Sequence, residues 1–414
     1  MATVTGGGGY TNTGSGDSAS YGQQVANSIS SALANGTLTA TTGANPSTGR
    51  GYQNVSTYGV TALQPAVTAF AVTASTDQTT GASNVAGAVT IYGGGGSNEM
   101  IVADNTPLTF GTGGGSGTVV TGDGNNFIGS PTAGGSAYTV RTGAGNDTLV
   151  FATGSNTVGA GLGNNLVVTG FTGGIASNFV STTGNDTVLG GGSGTDTIAF
   201  GSGTVYVAEG SKSLLFSGNA SGGGAATIIG GTGSDSVSLG FGGGVVQGGT
   251  GGNSFLAGGT GTALSVIAGG ASGDQLFAVG GPTVLIAGAG NETLIGAGSG
   301  MNSFYTFNGG TDLVVGGSGS ELFSIGRGGE AAFSGLFNIT TGGGSDTVAF
   351  TSHATSSAYV AITDFNAATD KLSGLGSQQA NVTAGAASGS LVTLTDGTRV
   401  QFSSAIALTG SNFV

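Results

Sequence analysis

The chain has no cysteine, only five prolines, one histidine and six basic residues in 414 positions. Without cysteine there is no disulfide framework, so stability has to come from stacked structure, helped or not by a metal. The scarcity of proline and the lack of a G-X-Y period exclude collagen, although the 91 glycines lie far above ordinary usage. Arg50, Arg141, Lys212, Arg327, Lys371 and Arg399 face 19 acids, for a net charge of −13. No basic track for nucleic acid or an anionic membrane surface can form, and cations are the natural counter-partner. No apolar run is long enough to span a membrane. The start, Met1-Ala2-Thr3-Val4-Thr5-Gly6, lacks the basic-then-apolar plan of a cleavable secretory signal.

Signs of catalysis are equally sparse. His353 is the single histidine and reads as a plain surface residue near the end of the repeats. There is no H-E-x-x-H, cysteine nucleophile, G-x-S-x-G elbow or P-loop. The acids of the middle region sit in glycine turns rather than as a glycosidase pair. The chain is expected not to be an enzyme.

What is present is a repeat. Gly191-Gly192-Ser193-Gly194-Thr195-Asp196-Thr197-Ile198-Ala199 and Gly230-Gly231-Thr232-Gly233-Ser234-Asp235-Ser236-Val237-Ser238 match the nine-residue pattern G-G-x-G-x-D-x-U-x, and Gly269-Gly270-Ala271-Ser272-Gly273-Asp274-Gln275-Leu276-Phe277 nearly does. Glycines let the turn curl tightly, so that turn carbonyls and the acid converge on one point. Oxygen-only donors suit calcium, which takes six to eight of them. The apolar residue two positions on points inward. Two units make one coil, which buries its apolar row only by stacking on its neighbours. Val237, Val246, Phe255, Val266 or Ser265, Leu276 and Leu294 stand near that inward position.

Calcium ligands are accordingly expected at Asp147, Asn165, Asp186, Asp196, Asp235, Asn253, Asp274, Glu292, Glu321 and Asp346. Glu99 and Asn126 occupy further partial units. Residues 18 apart fall one coil above each other, which stacks Asp147 with Asn165, Asp235 with Asn253, and Asp274 with Glu292. The alternative is that these side chains hydrogen-bond their own turn backbones, as Asx turns do.

This repeat, with the tail Ala361-Ile362-Thr363-Asp364-Phe365-Asn366, Asp370-Lys371-Leu372, Leu391 to Phe402 and the closing Asn412-Phe413-Val414, resembles the RTX (repeats-in-toxin) family of bacterial proteins over residues 90 to 414. The resemblance implies calcium-binding repeats, export by type I secretion machinery and an uncleaved C-terminal signal. In that family most units hold an Asp; here fewer do.

The expected fold is all-β, a parallel β-roll or β-helix solenoid. Residues 1–90 form an N-terminal assembly or capping module with one helix over Gly22–Asn35 and strand-like alternation from Tyr58 to Ala74. Residues 91–350 form the solenoid, about 14 coils of 18 residues at about 4.8 Å each. Residues 351–414 form a C-terminal β cap, with strands near Ala358–Ile362, Leu391–Leu394 and Arg399–Phe402 and a hairpin turn at Asp396-Gly397.

Charged residues make up 6% of the chain, and such a surface offers little repulsion between copies. The reading is a secreted structural protein that assembles as a homo-oligomer or polymer at a bacterial cell surface or in an extracellular matrix, as a layer, filament or biofilm scaffold. Cell-surface polysaccharide is a candidate partner. The alternative is an adhesin or ice-binding solenoid, which would want regular outward threonine columns; in the sequence the threonines look irregular in register.

Overall fold

The computed structural model describes residues 107–414 apart from 113–114, 131–135, 171–177, 211–212, 219–223, 259–262, 272, 308, 329 and 376–390, and before residue 107 only short strands and a few isolated positions. The helix expected over Gly22–Asn35 falls almost wholly outside the described residues. The described residues form an all-β parallel solenoid. The chain divides into two compact units, Met1–Lys212 and Ser213–Val414.

The N-terminal unit holds two parallel sheets. One runs through Leu108–Gly111, Phe127–Ser130, Thr148–Phe151, Leu166–Thr169, Asn185–Gly190 and Thr204–Ala208. The other runs through Ser116–Val120, Ala137–Arg141, Thr157–Gly159, Phe179–Thr182 and Thr195–Phe200. Parallel pairing begins earlier, since Gly59–Ala62 pairs with Val89–Tyr92 and Val67–Val72 with Glu99–Ala103. Within the alternation expected from Tyr58 to Ala74, Gly59–Ala62 and Val67–Val72 are strands; the remaining positions lie outside the described residues.

Thr109 pairs with Phe127, Phe127 with Thr148, Thr148 with Leu166 and Leu166 with Thr187. Coils of 18 and 21 residues thus alternate. Each strand sends alternate residues inward, so Leu149, Val167, Val188 and Val207 form one buried row and Val140, Val158, Val180 and Ile198 another. Burying a side chain of this size contributes about 1.5–3 kcal/mol. No coil could gain that alone.

The C-terminal unit repeats the plan. Val237, Phe255, Leu276, Leu294 and Val314 stack in one sheet, and Val246, Ile267, Leu285, Phe304 and Phe323 in the other. The Phe304 and Phe323 rings lie parallel at 4.9 Å. Where the sequence left Val266 or Ser265 as the inward residue, Ser265 and Ile267 point in and Val266 points out, as period two requires. The coils start at 18 and 21 residues and lengthen to 25 and 24 near the end. The chain then closes as expected at the C-terminus: Tyr359–Ile362 pairs in parallel with Arg399–Phe402, which pairs antiparallel with Leu391–Thr393.

The glycines have a spatial reason. A Cβ at Gly249 would stand 1.5 Å from the Gly231 carbonyl oxygen, one at Gly270 1.6 Å from that of Gly249, and one at Gly288 1.9 Å from that of Gly270. Gly163 and Gly184 are confined in the same way by Gly145 and Gly163. Turns of successive coils stack at strand spacing, and only glycine lets the backbones approach so closely.

Candidate functional site

The ten expected ligands fall into four buried columns, at the first inward position of each strand. Each is at most 3% exposed. This position differs from the expected one, in which the acid turned toward carbonyls of its own turn. It lies two residues before the inward apolar residue, on the same face of the strand.

In the N-terminal unit, Asn126, Asp147, Asn165 and Asp186 form one column. The backbone N–H of each of the first three donates to the side-chain oxygen one coil further on: Asn126 N–H to Asp147 Oδ1 at 2.8 Å, Asp147 N–H to Asn165 Oδ1 at 2.9 Å and Asn165 N–H to Asp186 Oδ1 at 2.9 Å. The amides of Asn126 and Asn165 add a second bond to the same carboxylate oxygens. The second column is Asn156, Asn178 and Asp196, built the same way. Amide and acid alternate down the first column, over steps of 21, 18 and 21 residues.

In the C-terminal unit one column runs Asp235, Asn253, Asp274, Glu292 and Asp312, with N–H bonds from Asp235 to Asn253, from Asn253 to Asp274 and from Glu292 to Asp312. The other runs Asn302, Glu321, Asp346 and Asp370, with N–H bonds from Glu321 to Asp346 and from Asp346 to Asp370. The pairs expected from 18-residue spacing are all stacked. The bonds across 21 residues extend them.

Asn156, Asn178, Asn302, Asp312 and Asp370 were not anticipated, because the full glycine pattern does not precede them. A shorter signal would have found them. Asn156-Thr157-Val158, Asn178-Phe179-Val180, Asn302-Ser303-Phe304, Asp312-Leu313-Val314 and Asp370-Lys371-Leu372 all read as Asn or Asp, any residue, then an inward apolar residue.

The columns differ in how their oxygens are satisfied. Asp186 accepts from Asn165 and from Gly184 N–H, Asp196 from Asn178 and Thr169 Oγ1, and Asp274 from Asn253 and Gly270 N–H. Both oxygens of these three acids are engaged by the protein itself. In contrast, Oδ2 of Asp147, Asp235 and Asp346 and both carboxylate oxygens of Glu292 and Glu321 are buried without a hydrogen-bond partner.

Burial pushes these acids up. It raises Asp147, Asp186 and Asp346 above the ordinary carboxylate range, and takes Asp235 to about 6. Burial first and the adjacent Asp312 second push Glu292 up to about 8; burial and then Asp346 push Glu321 up to about 7. A buried carboxylate with no donor requires a proton or a cation. Unpaired hard oxygens fit calcium, whereas the fully engaged Asp186, Asp196 and Asp274 offer it less. Among the described residues no group of three or more His, Cys, Asp or Glu side chains is placed to hold a metal ion.

The outward faces are ladders mainly of uncharged residues, with Arg141, Lys371 and Arg399 as charged positions. In the N-terminal unit Thr118, Thr139, Thr157 and Thr197 share one column, interrupted by Phe179. Thr109, Thr148 and Thr187 alternate with Phe127, Leu166 and Tyr206 in another. The threonines that look irregular along the sequence are thus in register across coils. In the C-terminal unit Leu256, Phe277, Ile295 and Val315 make an outward apolar column. Among the described residues no helix is long and apolar enough to cross a membrane. His353, expected on the surface, is buried at 7% exposure, because lengthened coils and the C-terminal hairpin cover it.

Comparison with known proteins gives no match to any family model, curated protein or solved structure.

Proposed function

We propose that this chain is a secreted structural protein that assembles with copies of itself at a bacterial cell surface or in an extracellular matrix. The observation that carries the reading is the outward column Leu256, Phe277, Ile295 and Val315, a regular apolar ladder with no charge on it. Such a ladder gives copies a repetitive surface to pack against, and few charges oppose their approach. The RTX-like repeat and tail add the route, export by type I secretion machinery.

Calcium is assigned a rigidifying role in this reading. Glu292 beside Asp312, Glu321 with Asp346, and the single acids Asp147 and Asp235 would hold it, because Glu292, Glu321, Asp346, Asp147 and Asp235 keep unpaired buried oxygens. A bound divalent cation would neutralise the acids and tie neighbouring coils together. No reaction is assigned to the chain.

The second reading, a surface-binding adhesin or ice binder, is favoured by the threonine column of the N-terminal unit. Negative-stain electron microscopy of the purified full-length protein separates the two. Ordered filaments or sheets in millimolar calcium that disperse in excess chelator support assembly with calcium as its switch. Assemblies that persist in chelator keep the structural role and remove the metal from it. Dispersed single particles in both conditions overturn self-assembly in favour of surface binding.

A further inference from the structure

The sole histidine lies where three segments of the C-terminal unit meet. The His353 side chain is fully buried, stacked at 4.7 Å on the Phe333 ring. Its Nε2 is 3.1 Å from the Arg327 carbonyl oxygen, and because a carbonyl only accepts, Nε2 carries the proton. In the neutral ring Nδ1 is then a bare lone pair. It has no hydrogen-bond partner and faces Asp396 Oδ2 at 3.9 Å.

Asp396 is the turn of the C-terminal hairpin. Its Oδ1 accepts from Thr398 N–H and its Oδ2 from His353 N–H, while its carbonyl accepts from Ser356 N–H. Thr398 Oγ1 also donates to Ser356 Oγ. The groups around the ring are therefore the Asp396 carboxylate, the Arg327 carbonyl and the uncharged Phe333 face. The Arg327 guanidinium lies instead over the Phe307 ring at 5.5 Å.

We propose that His353 and Asp396 form a proton-operated latch that fastens the C-terminal hairpin to the adjoining coils. A lone pair facing a carboxylate is repulsive. One proton on Nδ1 turns that contact into a charge-assisted N–H to O bond, and histidine is the side chain that gains such a proton between about pH 5 and 8. The latch tightens on acidification and loosens as the proton leaves.

Because the imidazole is unique, its titration in the full-length protein can be followed by NMR without assignment ambiguity. The expected result is a lower midpoint in D396N than in the parent. In the parent, amides of residues 391–402, corrected for intrinsic rates, should exchange about tenfold more slowly at pH 5.5 than at pH 7.5. The H353Q variant can keep the bond to the Arg327 carbonyl and should show a smaller ratio, the part that the acid columns produce by themselves. An unchanged midpoint in D396N, or the same ratio in H353Q as in the parent, overturns the latch.

Discussion

The N-terminal unit places an amide between its buried acids, and the C-terminal unit does so only at Asn253 before setting acid directly on acid from Asp274 to Asp312 and from Glu321 to Asp370. Asn126, Asp147, Asn165 and Asp186 alternate, so the amides of Asn126 and Asn165 each donate to the carboxylate one coil on. In Glu292 over Asp312 and Glu321 over Asp346 no such donor intervenes, and both glutamates keep unpaired oxygens. One scaffold thus carries two electrostatic solutions. The first satisfies most of its buried carboxylate oxygens from within; the second leaves more of them to a proton or, in the function proposed above, to a cation.

Both solutions rest on the glycine turns the units share, so breaking those should have the largest effect. Gly163→Ala and Gly270→Ala each put a methyl group inside a neighbouring carbonyl and should cost about 3 kcal/mol or more. The expected outcome in denaturant titration is collapse of the altered unit's protection, resolved segment by segment by hydrogen exchange.

The next effect separates the units. In Glu292, Glu321, Asp235 and Asp312 the folded-state pKa lies above the ordinary carboxylate value. The folded protein therefore binds more protons than the unfolded one from about pH 4 to about pH 8, and stability falls as pH rises through that window. Without divalent cation, the C-terminal unit should lose more protection between pH 5 and pH 8 than the N-terminal unit. Millimolar calcium should restore it at pH 8 and do little at pH 5. Equal pH responses in both units would erase the distinction.

Two exchanges sharpen the comparison at a single residue each. Glu292→Gln removes one buried like charge and should stabilise the calcium-free protein at pH 8 by about 1–3 kcal/mol while weakening its response to calcium. Asn165→Asp makes three consecutive acids of Asp147, position 165 and Asp186, and should give the N-terminal unit the pH and calcium dependence of its neighbour. Calorimetry with and without chelator reads both.

The smallest effect on stability is expected on the outward ladder. Ile295→Ser should change the unfolding free energy by no more than about 0.5 kcal/mol, yet reduce assembly seen by light scattering. Loss of fold with loss of assembly would count against the ladder as a contact surface.

Much of this was legible in the chain. The motif acids Asp196, Asp235 and Asp274 marked the strand starts, Val237, Phe255, Leu276 and Leu294 marked the core, and Asp396-Gly397 marked the last hairpin. The 18-residue spacing stacked Asp147 with Asn165 correctly. The 21-residue step was hidden, since an insertion of three residues in a turn changes no pattern within the strands. With it went the threonine columns and the continuity of the acid columns. His353 was misplaced because nothing local shows that the distant Asp396 turn comes to rest on it.

The coil is a local matter: period-two strands, glycine turns and an inward residue two positions after each Asp or Asn are properties of a few consecutive residues. Which coil lies against which, and therefore whether a buried acid meets an amide, another acid or nothing, is settled in three dimensions. That outcome depends on the length of each intervening turn, and a carboxylate's charge state depends on the neighbour it is given rather than on the residues beside it in the chain.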